Sequence, residues 1–161
     1  MSKFVKLLGN PQLDFPVIHV AGTNGKGSVC AMLDSIYRAN GYKVGLFSSP
    51  HLIELGERIQ INGENITEDE INRWVDRLKP LAQKMEEDES ENHPTFFEFM
   101  TAVAFLHFQK HGVELAVIET GLGGRLDSTN VVFILIPTFD GDLGEALSCD
   151  NDTVALPFPF D

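Results

Sequence analysis

The sequence predicts an α/β fold, a parallel β-sheet flanked by helices, and three observations point to it. First, an apolar β-branched run, PVIHVAG at residues 16–22, leads through a glycine-rich loop into a helical pattern and out into a second apolar run, YKVGLFSS at 42–49. Strand, glycine loop, helix and strand make a βαβ unit, which crosses over right-handed and leaves its strands parallel. Second, a third buried run, VELAVIETG at 113–121, also ends in a glycine loop, GLGGRLDSTN at 121–130. Third, two helix-start signals, TEDE at 67–70 and TFFE at 95–98, stand between the second and third strands.

Each element has its own warrant. The run at 16–22 is short, apolar and closed by glycine, as a buried strand should be. From 28 to 40, Val29, Met32, Leu33, Ile36 and Tyr37 recur at helical spacing, and Asn40-Gly41 supplies the stop. The stretch from 50 to 67 has turn signals at Gly56 and Asn62-Gly63 and alternation in RIQIN, which predicts a long loop and a small hairpin. Behind the first capping box, Ile71, Trp74, Val75 and Leu78 share a helical face; Pro80 either kinks or ends that helix, or the pattern resumes through Met85. EEDESENHP at 86–94 reads as an acidic surface loop. The second capping box opens a helix to about His111, with Glu98 as its reciprocal cap and Phe96, Phe99 and Phe105 assigned to core packing. VVFILIP at 131–137 is a candidate fourth strand. Residues 138–161 carry turn formers, scattered acids and two late prolines, and read as irregular or partly disordered.

Bulk properties narrow the function. The 161 residues suffice for one domain with a real core, and 43% hydrophobic with 22% charged content is ordinary for a globular chain. A net charge of −12 argues against nucleic-acid and anionic-membrane partners, whose phosphates repel such a surface. Cys30 and Cys149 make neither a disulfide framework nor a CxxC metal pair. With no secretory signal and no bilayer-length apolar run, a cytoplasmic location is expected.

The stretch AGTNGKGS at 21–28 carries the chemistry. It lacks the common phosphate-loop spacing, because Val20 stands where that pattern needs glycine and Gly27 where it needs Ser or Thr. Yet Gly22, Gly25 and Gly27 let backbone N–H groups approach an anion, and the helix behind adds its positive dipole end. Lys26 adds a mobile charge for β- and γ-phosphates, and the Ser28 hydroxyl can reach Mg²⁺. The bland alternative is a glycine turn with an exposed lysine; the strand–loop–helix context argues against it. In a parallel sheet the loops after all three strands open on one side, where ligands bind. Glu119 ends an apolar strand, where a carboxylate costs desolvation unless it is paired, binds metal or reaches solvent. Ser49, before Pro50, is either a turn residue or a Mg²⁺ ligand.

This combination resembles the folylpolyglutamate synthase/dihydrofolate synthase branch of the Mur ligase superfamily. HVAGTNGKGS looks like its phosphate loop, which uses a shortened GxxGK with glycine after the lysine. FSSPHL…ERIQING looks like its mobile loop, TFFEF like its pterin-contacting segment and VIETGLGGRLDSTNVV like its second signature. The resemblance implies a partial Mur-ligase-like P-loop fold. It implies that Gly22, Thr23, Asn24, Gly25, Lys26, Gly27 and Ser28 hold ATP, with Lys26 and Glu119 catalytic. Ser28, Ser49 and Glu119 would serve Mg²⁺, and Phe97, Arg125, Asp127 and Ser128 would line a dihydropteroate or folate pocket. The implied reaction is ATP-driven amide formation: a substrate carboxylate takes the γ-phosphoryl group, and the amine of L-glutamate displaces phosphate from the acyl phosphate.

The resemblance covers roughly residues 17–132. Residues 1–132 are therefore read as the N-terminal part of the ATP-binding domain and 133–161 as an atypical tail. Residues 126–161 hold 7 acidic residues and no Lys, Arg or His, against 12 basic and 17 acidic residues before them. The family's later Asp-His pair, lysine and C-terminal domain have no counterpart here. The expectation is a truncated domain with an open sheet edge, prone to self-association, and a chain inactive by itself. The alternatives are a non-catalytic nucleotide-binding fragment or another Mur-type amino-acid ligase.

Overall fold

The computed structural model describes residues 1–88, 93–121, 127–132 and 134–137. Part of the acidic loop, Arg125 and its neighbours, and residues 138–161 lie outside the described residues. Strands β1 (Val17–Val20), β2 (Val44–Phe47), β3 (Ile59–Ile61), β4 (Glu64–Asn65), β5 (Leu115–Glu119) and β6 (Ile134–Pro137) form one sheet in the order β4-β3-β2-β5-β1-β6. β2, β5, β1 and β6 run parallel. The expected hairpin is β3–β4, and it docks antiparallel on β2 and extends the sheet. The sheet also runs past residue 132, since Ile134–Pro137 pairs with β1.

Among the described residues four α-helices cover the sheet: α1 (Ser2–Leu7), α2 (Lys26–Ala39), α3 (Glu68–Asp88) and α4 (Phe96–Lys110). The central strands are buried on both faces, and period-2 alternation sorts their side chains into two cores. Val17, Phe47, Ala116 and Ile118 pack with α1, α3 and α4. Ile18, Val20, Val44, Leu46, Leu115 and Val117 pack against Cys30, Leu33 and Tyr37 of α2. Gly45 permits close approach on the first side, because a Cβ there would lie 2.9 Å from the Phe108 ring. No helix among the described residues is long and apolar enough to cross a membrane.

Three expectations need correction or resolution. α3 continues through Pro80; Leu78, Ala82 and Met85 are buried against its neighbours, and that packing outweighs one lost hydrogen bond. Phe96 is not a core residue: it is 61% exposed, while Phe105 is fully buried and Phe99 packs 6.1 Å from Phe4. On α2 the sheet takes the Cys30–Leu33–Tyr37 stripe, leaving Val29, Met32 and Ile36 exposed. Both capping boxes form: Thr67 pairs with Glu70, and Thr95 with Glu98.

Candidate functional site

The carboxyl edge of the parallel strands gathers the three loops. β1 ends at Val20, and α2 begins at Lys26 with Gly25 as its N-cap in the left-handed region, φ +76°. Gly22 sits at φ +151°, and the Lys26 stem folds back toward it, so that a Cβ on Gly22 would meet Lys26 Cγ at 3.7 Å. Only glycine adopts these conformations without strain, and they turn the loop ahead of the helix N-terminus. Thr23, Asn24, Gly25, Gly27 and Ser28 are exposed and Lys26 half-buried, so the loop's polar groups face outward rather than into the core.

Glu119 ends β5 beside this loop. It is only 4% exposed, and its Oε2 accepts a 3.0 Å hydrogen bond from Ser49 N–H. Both its oxygens lie 4.0 Å from where a Cβ on Gly27 would sit. The structure therefore brings Gly27, Ser49 and Glu119 together from three loops. The next residue, Thr120, is buried, and its Oγ1 has no hydrogen-bond partner among the described residues. A buried carboxylate beside a helix N-terminus supplies oxygen donors of the kind a hard cation takes. One turn into α2, burial foremost and then the Glu119 charge push the Cys30 thiol up to about 12, with Lys26 opposing. Cys30 is thus a neutral packing group and no nucleophile.

The second glycine loop is closed from within. Asp127 is buried; its Oδ2 accepts from Gly121 N–H at 2.8 Å, and its Oδ1 accepts from Thr129 N–H at 2.9 Å and from the Thr129 hydroxyl. Thr129 Oγ1 also lies 2.7 Å from His19 Nε2, which ties this loop to β1. Burial, partly offset by the Asp127 charge, holds the His19 pKa below its usual value. Sequence reasoning assigned no role to His19, Thr120 or Thr129; the polar His19 within an otherwise apolar strand was the available signal. Ser128 stands half-buried beside Asp127, and Arg125 lies outside the described residues.

Phe97 occupies the gap between the second and third loops. Its ring centroid lies 5.6 Å from that of Phe47 with the planes tilted by 40°, and a Cβ on Gly121 would lie 2.5 Å from it. Nearby, the loop after β2 is shaped by Glu57, whose carboxylate accepts from the N–H groups of Leu52, Ile53 and Glu54. The Leu52 and Glu54 N–H groups lead in lowering the Glu57 pKa. This presents Leu52 and Ile53 to solvent, 90% and 86% exposed. Arg58 donates to His51 Nδ1 at 2.8 Å and lies 5.8 Å over the exposed Phe96 ring. Leu52, Ile53 and Phe96 are thus large apolar side chains left exposed on the loop after β2 and the first turn of α4.

No family model matches the chain. It is 46% identical over 133 residues to the dihydrofolate synthase/folylpolyglutamate synthase of Bacillus subtilis, covering 82% of this chain and 31% of that protein. The Thermotoga maritima folylpolyglutamate synthase structure superposes with a TM-score of 0.80 at 46% identity, over 83% of this chain and 32% of that one. A solved folylpolyglutamate synthase complex with AMPPCP and folate gives 0.78 at 38% identity, over 83% and 32%. The chain thus spans about a third of the length of these proteins.

Proposed function

The chain belongs to the folylpolyglutamate synthase family, and from that premise we propose that its three loops hold ATP and a folate or dihydropteroate for ATP-dependent ligation to L-glutamate. The observation that carries this reading is Glu119, a buried carboxylate held against Gly27 and Ser49 N–H at the mouth of the glycine loop. The related structure bound to AMPPCP and folate supports both ligand classes.

In this reading the N–H groups of residues 22–28 and the α2 N-terminus receive the phosphates, and Lys26 offsets charge on the transferring phosphoryl group. Glu119, with Ser49 and Ser28, would hold Mg²⁺, which when bound neutralises phosphate charge. Phe97, Ser128 and Arg125 would position the pterin end, with Asp127 acting through the loop it holds together. The substrate carboxylate oxygen attacks the γ-phosphorus and ADP leaves; the glutamate amine then displaces phosphate and loses a proton. Catalysis is mainly positioning and electrostatics. This reading expects a cytoplasmic reaction without nucleic-acid or membrane partners.

A second reading is favoured by coverage: the matched stretch is about a third of the relatives' length. On that reading residues 1–132 are the N-terminal part of the ATP-binding domain, and this chain holds nucleotide without turning over. The edge strands of the described sheet, β4 and β6, would then be the places for self-association, which light scattering across a concentration series reads directly. Glutamate-dependent ADP release from Mg²⁺-ATP and dihydropteroate or folate, with a Lys26→Ala control, separates the readings. Release abolished in the control supports the ligase; ATP binding without release supports the holding role. ATP binding and turnover both unchanged in the control reject the site.

A further inference from the structure

Away from the carboxyl edge, the α3–α4 pair carries a cluster that the proposed reaction does not use. His107 and His111 stand one turn apart on α4, ring centroids 4.4 Å apart, and Glu70 reaches them from the first turn of α3. One carboxylate oxygen and one nitrogen from each ring lie within 4.8 Å of one another. Histidines at i and i+4 on a helix face converge their rings on one point, the spacing by which helices hold zinc.

The carboxylate divides its work. Glu70 Oε2 accepts from Thr67 N–H and its hydroxyl in the α3 cap. Oε1 is left facing His111 Nε2 at 3.5 Å, too long for a hydrogen bond. His111 Nε2 is buried with no hydrogen-bond partner among the described residues. The pair is a long ion-pair contact without a short hydrogen bond, and a cation held between the two atoms would satisfy both. His107 is 4% exposed, and the Trp74 indole N–H lies 3.5 Å from its Nδ1.

We propose that Glu70, His107 and His111 form a zinc-class divalent cation site that clamps α3 to α4. Ligand atoms around tetrahedral zinc lie about 3.3 Å apart, so side-chain rotation from the present spacing closes the site. Arg73, Arg77 and Lys110 stand in the adjoining pocket around Trp74. Their charge disfavours a cation held by electrostatics alone, so Mg²⁺ is excluded, whereas directional imidazole donors still favour zinc or cobalt(II). The site stands independently of the proposed ligase reaction.

The test is zinc and cobalt(II) titration of the full 161-residue chain in excess Mg²⁺-ATP, beside His111→Gln and Glu70→Gln. Both variants spare the buried His107, and Glu70→Gln keeps an acceptor for the α3 cap. Zinc should bind at micromolar concentration and raise the thermal midpoint, and cobalt should give the visible bands of tetrahedral coordination. Affinity should fall roughly tenfold or more in each variant, with ATP binding unchanged. Absence of micromolar binding, octahedral cobalt only, or zinc binding undiminished in both variants would overturn the assignment. Loss of ATP binding in wild type under the same conditions would instead count against the phosphate-loop reading.

Discussion

The two glycine loops stand at the same edge of the sheet and use glycine for opposite reasons. In the first, Gly22 and Gly25 hold φ of +151° and +76°, and a Cβ on Gly25 would meet nothing within 4 Å. In the second, Gly121 has no room: a Cβ would lie 2.5 Å from the Phe97 ring. The first loop uses its glycines for backbone shape in open space, where the proposed phosphates would sit. The second spends one on packing, and buries Asp127 and Thr129 to hold itself shut. Phosphate binding at the first loop and the packing of the second are therefore separable by mutation.

The largest expected effect is on binding. Lys26→Ala removes a charge-assisted phosphate contact, worth about 1.5–3 kcal/mol, or roughly ten- to hundredfold in ATP affinity. Its unfolding midpoint should shift by no more than a surface change does, about 0.5 kcal/mol; calorimetric titration and thermal melting read the two quantities. Gly121→Ala should do the reverse in kind, losing about 1–3 kcal/mol in a denaturant melt through overpacking against Phe97. Pairing it with Phe97→Ala should recover part of that loss, which a double-mutant cycle measures.

Gly25→Ala is expected to cost about 1 kcal/mol from the left-handed backbone alone, with no such recovery from any neighbouring truncation. The smallest effect is in pH. Burial lowers the folded-state pKa of His19 from 6.5. Below pH 6.5 the unfolded chain therefore binds more protons than the folded one. The contribution of His19 is fully present above pH 6.5 and is lost as pH falls through its lowered folded-state value. A His19→Gln chain should show a flatter thermal midpoint against pH in that window.

Much of this contrast was legible in the residues. The βαβ unit, both capping boxes and the gathering of three loops at one edge follow from periodicity and turn chemistry, which act locally. What was not legible depends on neighbours. Val29, Met32 and Ile36 share the helical period with Leu33 and Tyr37, but period alone does not say which stripe the sheet covers. Phe96 is as apolar as Phe97, yet one residue of helical rotation turns it out toward Arg58. The packing role of Gly121 needs Phe97, 24 residues earlier, to be seen. The His19–Thr129–Asp127 link likewise joins residues 110 apart. Glu119 was placed at the edge by its strand, but its burial against Ser49 N–H needed the fold.

The central claim is that three loops make one Mg²⁺-ATP site. Its most direct test is ATP titration of this chain with and without Mg²⁺, in wild type and Glu119→Gln, an isosteric change that keeps an acceptor for Ser49 N–H. The account predicts that Mg²⁺ strengthens ATP binding in wild type and that this gain disappears in Glu119→Gln. ATP binding that ignores Mg²⁺, or a gain that survives the substitution, would contradict it.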